Sequence, residues 1–482
     1  MWYRMFSNLF TNLATVLEAS AFAILFAVQH LTPTNLRGAR RTLLHVNDKL
    51  HSSSQVRDVV WLTMGLMLAL MLIYAPHVNA QPATTLATTE AAAPASAALP
   101  PDIIKLRDEG TTALFNVDYT TARTKFEAIQ KQLPQHPAGD LYLAMATWLE
   151  SLYRQRRLQT NLYREDSNFY AGADQKDEKT EGDAVDPVVD KAFRAHIQSA
   201  KLKALTLVNQ DKKDPHALYF LGAVHAITAS YEASTARKFF AAMRNGSRAV
   251  DLHQKALELK PDYYDAYLSI GTYHYILGKL PFALKALAVL GGMRGNKQKG
   301  IAEIQSVIDK GANADDARVV LLAIYQVEKR PEDALTVLSQ LADKYPRNSL
   351  FRLEHANSLV GLKRFDQAYK VYEALLQDPQ AAGIADLAHY QYGEALAAHK
   401  EFTRAAAQFL AVPQTKTAEA NLITVALLRA AQVYDLDGKR NEALAQYKAV
   451  LARPNVYDTR EQAERGLKQV YVPLETNKKG GE

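Results

Sequence analysis

Residues 349–379 read SLFRLEHANSLVGLKRFDQAYKVYEALLQDP. In this stretch Ala356 is followed twelve positions on by Ala368 and four further by the ring of Tyr372. Leu375 lies three beyond on the same helical face, and Pro379 ends the unit because it cannot continue a helix. The same inner spacing recurs as Gly110–Ala122–Phe126, Gly271–Ala283–Leu287, Leu322–Ala334–Leu338, Gly393–Ala405–Phe409 and Ala431–Ala443–Tyr447. The copies led by Leu322, Ala356, Gly393 and Ala431 start 34, 37 and 38 residues apart. A period near 34 with this spacing means stacked helix pairs.

The pattern has a physical cause. A small residue midway along the first helix lets the second lie close, and the Ala opening the second helix does the same from the other side. The ring is expected to fill the gap to the next pair. An aliphatic residue follows on the same face: Ile129, Leu290, Leu341, Leu375, Val412 and Val450. Pro134, Pro346, Pro379 and Pro454 end pairs.

A chain of 482 residues, 48% hydrophobic and 22% charged, is long enough for two or three ordinary domains or one elongated solenoid; the repeat decides for the solenoid. With no cysteine, disulfides, thiolate catalysis, Cys-ligated metal and lipid attachment to an N-terminal Cys are excluded. The formal charge is +6, but residues 1–80 hold six Lys/Arg and three Asp/Glu, leaving 51 basic and 48 acidic residues beyond them. That balance gives no footprint for nucleic acid. Lys201, Lys203, Lys212 and Lys213 read as a solvated helix face.

Val59–Ala75 is an apolar run of 17 residues, preceded by Arg57 and followed by Val78-Asn79-Ala80 and Gln81. This reads as a secretory signal cleaved between Ala80 and Gln81, or as an uncut membrane anchor over about 57–80. A second apolar stretch, Leu13–Leu31, is broken by Glu18 and His30, with Arg37, Arg40, Arg41 and Lys49 between the two. Either the two stretches are membrane helices joined by a basic loop, or translation begins near Val56 and residues 1–55 reflect start-site choice; the second is favoured. The expected location is periplasmic or secreted after cleavage, or inner-membrane anchored with the solenoid outside the cytoplasm. Residues 81–101, rich in Ala, Thr and Pro, read as a flexible linker, with Asp102 as a helix cap.

Residues 102–475 read as an all-α solenoid, a right-handed superhelix of about eight helix pairs. Irregular pairs occupy 102–314 and regular ones 315–456, with a capping helix at 459–471. In the second pair the partner helix is delayed to about Val189 by a polar, acidic loop, Asp174–Asp186, expected to be mobile. In the third, Gly222 and Ala249 lie 27 apart, which lengthens both helices. The fourth contains a nearly all-apolar helix at 280–290, and an extra amphipathic helix runs from Lys299 to Lys310.

These residues resemble the tetratricopeptide repeat superfamily. Tyr267-x-x-Ile270-Gly271 and Leu218-x-x-Leu221-Gly222 approximate its opening signature, with His274 and His225 where a Tyr is usual. The resemblance covers roughly 103–456 and implies protein–protein interaction and scaffolding, with no reaction. More narrowly, Leu280-Pro281, Gly291-Gly292-Met293-Arg294-Gly295 and Gly300-Ile301 resemble the tetratricopeptide-39 group, which is intracellular. Some members of the superfamily clamp a C-terminal carboxylate with Lys and Asn four apart. The corresponding positions are Leu353/Asn357, Tyr390/Glu394 and Leu428/Gln432, and the missing Lys argues against that clamp.

No catalytic motif or metal-ligand spacing is present, so no catalytic residue, metal or cofactor is expected and the chain reads as a non-enzyme. His274 reads as a packed imidazole, and Gly291–Gly295 as a tight turn rather than an anion cradle. Of the Tyr cluster, Tyr275 and Asp265 are assigned to the concave groove, Tyr264 and Tyr267 to the neighbouring pair. The candidate groove residues are Tyr219, Asp265, Leu268, Tyr275, Leu353, Asn357, Tyr390, Glu394 and Gln432. Being more apolar and aromatic than charged, they favour an apolar or extended peptide as partner. The leading reading is a scaffold binding a protein or peptide in its concave groove in the cell envelope. The alternative is a carrier that binds a hydrophobic small molecule, or the membrane, through the helix at 280–290.

Overall fold

The structure is a computed structural model, and it describes residues 97–155, 158, 186–236, 238–280, 285 and 294–473. The expected signal or anchor, the start near Val56, the loop at 174–185 and, apart from Leu280 and Lys285, the apolar helix at 280–290 lie outside the described residues. Among the described residues every regular element is a helix, and no helix is long and apolar enough to cross a membrane.

The helices follow the sequence reading closely. The first pair is α1 (Pro101–Phe115) with α2 (Tyr119–Gln132), and the second is α3 (Ala138–Arg154) with α4 (Pro187–Gln210). Both helices of the third pair are long, α5 (Pro215–Ser234) and α6 (Phe239–Leu259), as the 27-residue spacing requires. Next come α7 (Tyr267–Lys279) and the extra helix α8 (Lys297–Lys310). The regular pairs are α9 (Ala314–Val327) with α10 (Pro331–Lys344), α11 (Ser349–Gly361) with α12 (Phe365–Gln377), α13 (Ala385–Ala398) with α14 (Phe402–Ala411), and α15 (Ala420–Leu436) with α16 (Arg440–Leu451). The capping helix is α17 (Thr459–Lys468). By contacts the described chain falls into two compact units: residues up to Thr272 and from Ile301 onward form one, and Tyr273–Gly300 belong to the other. In the second unit, Gly278 and Gly295 let the end of α7 and the start of α8 approach backbone to backbone. An added Cβ on Gly278 would lie 2.5 Å from the Lys297 nitrogen, and one on Gly295 2.3 Å from the Leu277 Cβ.

The turns within five of the pairs share one geometry. Val117, Lys329, Lys363, Lys400 and Gly438 all adopt left-handed φ values, between 54° and 72°. Each is followed by a residue whose N–H reaches back five positions: Asp118 to the Ala113 carbonyl, Arg330 to Tyr325, Arg364 to Leu359, Glu401 to Leu396 and Lys439 to Tyr434, all at 2.8–2.9 Å. This bond satisfies a carbonyl that the helix end would leave bare. Only Gly438 takes the conformation without a steric cost.

Packing within the pairs corrects the expected role of the rings. Each lies first against the small residue of its own pair. A Cβ on Gly110 would meet the Phe126 ring at 2.4 Å, and one on Gly393 would meet Phe409 at 2.7 Å. In the third pair the ring is an imidazole: a Cβ on Gly222 would meet His253 at 2.3 Å. The cap uses the same device across the end of the stack, where Gly466 of α17 sits under the Tyr447 ring. Phe126 also reaches onward, its ring centroid 5.3 Å from that of Tyr142 in the next pair.

Three local expectations change. The end of the linker is tied down: Ala97 is buried, its N–H donates to Asp214 at 2.6 Å, and its carbonyl accepts from His136 Nε2 at 3.0 Å. The first helix begins at Pro101 with Pro100 in the cap position, so Asp102 sits inside the first turn. Lys203 is not part of a solvated face; it pairs at 2.5 Å with the buried Asp140, which also accepts from Ser199 and Gln130.

The first unit also makes a contact that no repeat period encodes. The turn after α1 touches the turn between α10 and α11. Phe115 stacks on Tyr345 with centroids 4.9 Å apart and lies 6.4 Å from Phe351. Asn348 Nδ2 donates to the Phe115 carbonyl at 2.6 Å, across 233 positions of sequence, and Arg347 lies 3.5 Å from Asp118.

Val117 carries a branched side chain in a left-handed turn, so Val117→Gly is expected to stabilise the protein by about 1 kcal/mol. Gly393→Ala is expected to destabilise it by roughly 1–3 kcal/mol through overpacking against Phe409. Urea denaturation of the two variants checks both signs.

Candidate functional site

In the first unit a cluster of tyrosines and carboxylates forms between α1, α3, α5, the segment before α7 and the start of α9. Tyr219, on α5, stacks on Tyr263 with centroids 4.5 Å apart, and its hydroxyl accepts from Asn313 Nδ2 at 2.8 Å. The Asn313 backbone N–H donates to Asp265 Oδ1 at 2.8 Å. Asn313 stands just before α9 and therefore joins two residues that the sequence assigned separately to the groove. His216 Nδ1 meets the Tyr263 hydroxyl at 3.2 Å. Arg107 of α1, Tyr142 of α3 and Asp316 in the first turn of α9 lie within electrostatic reach of Asp265.

These residues are half-buried: each keeps some contact with solvent while being surrounded by protein. The consequence is clearest for the acids. Burial, together with the adjacent Asp315 and with Asp265, pushes the Asp316 carboxyl up to about 7. Burial also raises Asp265, although the backbone amides of Asn313 and Ala312 pull it the other way. Arg107 is the cation that offsets them. Asp315, by contrast, is compensated by Arg318 at 2.7 Å and Lys344 at 2.6 Å, and accepts the Tyr345 hydroxyl at 2.5 Å. Tyr219 and Tyr263 are raised by desolvation and remain neutral hydroxyls. The cluster is therefore aromatic, short of positive charge and in reach of water. Perturbed pKa values cluster at functional sites, and structural ion-pair networks produce them as well.

Toward the C-terminus the inner face is chemically closed. Glu394 binds Arg429 through two bonds of 2.6 and 3.1 Å. Arg429 Nη1 donates to Gln432 at 2.6 Å, and Gln432 donates to Gln462 on the capping helix at 3.0 Å. Tyr390 bonds Glu394. Asn357 accepts the Tyr372 hydroxyl at 2.5 Å.

Placed on this geometry, the nine groove candidates divide. Tyr219 and Asp265 belong to the half-buried cluster, and Leu268 stands nearby in sequence on α7, also half-buried. Tyr275 is a correction: it is fully buried and offers no groove surface, because an aromatic at this spacing serves the packing between helices. Leu353, Tyr390 and Gln432 are likewise buried, with 3%, 3% and 4% of their surface exposed. Asn357 and Glu394 are held by Tyr372 and Arg429. Of the rings assigned to the neighbouring pair, Tyr264 carries Lys310 over its face at 5.0 Å.

The sequence reading missed Arg107, Tyr142, Asn313 and Asp316. Asp315-Asp316 reads as ordinary acidic residues of a helix first turn, and only the fold turns the second one inward. The ring position four after Ala249 would have found His253. Its Nε2 donates to the Tyr219 carbonyl at 3.0 Å, and its Nδ1 meets Ser269 Oγ. Burial holds this imidazole down to about 4.

No family model matches the chain, and no curated protein matches it. Several solved structures are similar. A thermophilic TPR protein of Thermus thermophilus, TTC0263, is 16% identical with a TM-score of 0.29, over 54% of this chain and 99% of its own. YrrB, a TPR protein with an unusual peptide-binding site, is 16% identical with a TM-score of 0.25, over 55% of this chain and 98% of its own. Human IFIT1, as a dimer with PPP-AAAA, is 12% identical with a TM-score of 0.27, over 74% of this chain and 95% of its own. The fold rests on the helix pairs themselves and not on these likenesses.

Two opposite pH dependences follow. Asp316 has a raised folded-state value, so its contribution is full below about 3.8 and is lost as pH rises through about 7. Asp316→Asn is expected to raise stability at pH 8 by about 1–3 kcal/mol and to change little at pH 4. His253 has a lowered value, so stability falls as pH drops from about 6.5 toward 4, and His253→Gln removes that slope. Urea titrations from pH 4 to 8 separate the two.

Proposed function

We propose that this tetratricopeptide-like repeat stack is a non-enzymatic scaffold that binds a protein or peptide on its inner face, in the cell envelope. The reading is carried by one observation: Tyr219 on α5, Tyr263 and Asp265 just before α7, and Asp316 in the first turn of α9 gather in one cluster, part-open to solvent and short of positive charge. Tyrosines give large contact area at low entropic cost, and under-compensated carboxylates favour a ligand that brings a cation. An extended segment carrying lysine or arginine among apolar residues meets both demands. The exported location is supported by the run at Val59–Ala75 and the small residues before Gln81.

The test is capture of partners by the full chain and by an Asp265→Asn/Asp316→Asn variant with matched stability. Loss of most specifically captured proteins from the variant is the expected result; an unchanged set would remove the inner face from the function. N-terminal sequencing of the natively expressed protein is expected to start at Gln81 in a periplasmic or culture fraction. A start near Met1 or Val56 in a membrane pellet would make it an anchored scaffold instead.

A further inference from the structure

The contact between the turn after α1 and the turn before α11 has the properties of a clasp, and we infer that its opening and closing control access to the inner tyrosine–carboxylate face. The inference rests on that face being the binding surface; what it adds is regulation.

Four observations lead there. First, the contact between the two turns is small, and it stands beside the packing of Tyr153 and Leu158 against the core of the later pairs. The turn contact consists of Phe115 against Tyr345 and Phe351, one hydrogen bond from Asn348 to the Phe115 carbonyl, and the exposed pair Arg347–Asp118. Successive pairs, in contrast, are joined by continuous aliphatic and aromatic packing, such as the core around Leu353, Tyr372, Leu387 and Phe409.

Second, open space borders the contact. A cleft of about 460 Å³ touches Asn116, Asp118, Lys125 and Arg347, and another of about 720 Å³ touches Arg347, Arg352, His355 and Lys370. Both are lined by charges of mixed sign, and Arg347 belongs to both.

Third, one jaw ends an element of the cluster, α1, and the other is hydrogen-bonded to a second, α9. α1 carries Arg107 toward Asp265 and Asp316, and ends at Phe115. The first turn of α9 carries Asp316 inward, while the adjacent Asp315 accepts the hydroxyl of Tyr345, the ring on which Phe115 stacks. Separating the jaws therefore draws α1 and its Arg107 away from the two carboxylates. That uncovers the face and leaves it more negative in one movement.

Fourth, Asn348 has two separable duties. Its Oδ1 caps α11 by accepting from the Leu350 and Phe351 amides at 3.0 and 3.1 Å, while its Nδ2 makes the clasp bond. Asn348→Asp keeps the cap, since Asp caps as well as Asn, and sets a carboxylate oxygen against the Phe115 carbonyl. It weakens the clasp and spares the helix.

The experiment uses the full chain, whose lack of cysteine makes site-specific labelling clean. Thr120 and Pro346 are exposed residues beside the two jaws. Nitroxide labels on Thr120→Cys/Pro346→Cys report the jaw separation by electron–electron resonance. Nitration of Tyr219 and Tyr263 by tetranitromethane, read by peptide mass spectrometry, reports access to the inner face. The expected result is a short and a long distance population, with the long one enlarged by Asn348→Asp and by Phe115→Ala. Nitration should be about tenfold faster in Asn348→Asp and return to the slow rate when the two cysteines are bridged by a bis-maleimide. A single short distance unchanged by both substitutions overturns the clasp. A distance change without faster nitration, or faster nitration that the bridge does not slow, overturns its control of access. Neither readout uses a partner, so the clasp can stand where partner capture fails, and fall where capture succeeds.

Discussion

Everything in this fold depends on how closely two helices of a pair can lie. That distance is set by a ring seated on a residue without a side chain. Phe126 over Gly110, His253 over Gly222 and Phe409 over Gly393 are the same contact made three times, and Tyr447 over Gly466 carries it to the end of the stack. Each ring has nowhere else to go, because the space it fills is the space a Cβ would need. The pair spacing in turn fixes where the inward face of each first helix falls, and so which side chains of neighbouring pairs can meet. The meeting of Tyr219 with Tyr263, and of Tyr219 and Asp265 with the α8–α9 turn, is a product of that spacing.

The inner face shows two ways of handling buried charge. At the C-terminal end Glu394, Arg429, Gln432 and Gln462 satisfy one another in a chain that locks the last two pairs to the cap. Toward the N-terminus Arg107, itself paired with Asp108 at 2.7 Å, is the described cation in electrostatic reach of Asp265 and Asp316. The first arrangement is a structural solution, complete in itself. The second lowers stability above neutral pH, and a stack that needed only to hold together would gain by dropping one carboxylate. Within one chain, a network complete in itself thus stands beside a pair of under-compensated acids.

Periodicity made most of the helices legible. Small residues twelve apart, the ring four further and the closing proline located the regular pairs, and the 27-residue spacing in the third pair correctly foretold two long helices. What periodicity could not carry is any contact between non-neighbouring pairs. Asn348 against Phe115 spans most of the described chain, and nothing in either sequence neighbourhood announces the other. The groove candidates differ from the structure where a residue's direction was taken for exposure: Leu353, Tyr390 and Gln432 are buried, Gln432 against Gln462 of the cap. Lys203 was misjudged for the converse reason, since a long amphipathic side chain on an outer helix can still reach a buried acid such as Asp140.

The five left-handed turns have a consequence for how such a chain can vary. Each closes its pair with one fixed backbone bond, so the turn admits neither one residue more nor one fewer without breaking it. The spacing within these five pairs is accordingly rigid, unlike the 27 residues of the third pair, while the spacing between the regular pairs drifts from 34 to 37 to 38. The additional residues are accommodated in the connections: a 3₁₀ segment at Pro379–Ile384 before α13, and another at Val412–Gln414 before α15. Length is thus conserved inside the module and free at its joints. A lineage of such proteins can lengthen the joints and alter the pitch of successive modules without redesigning any module.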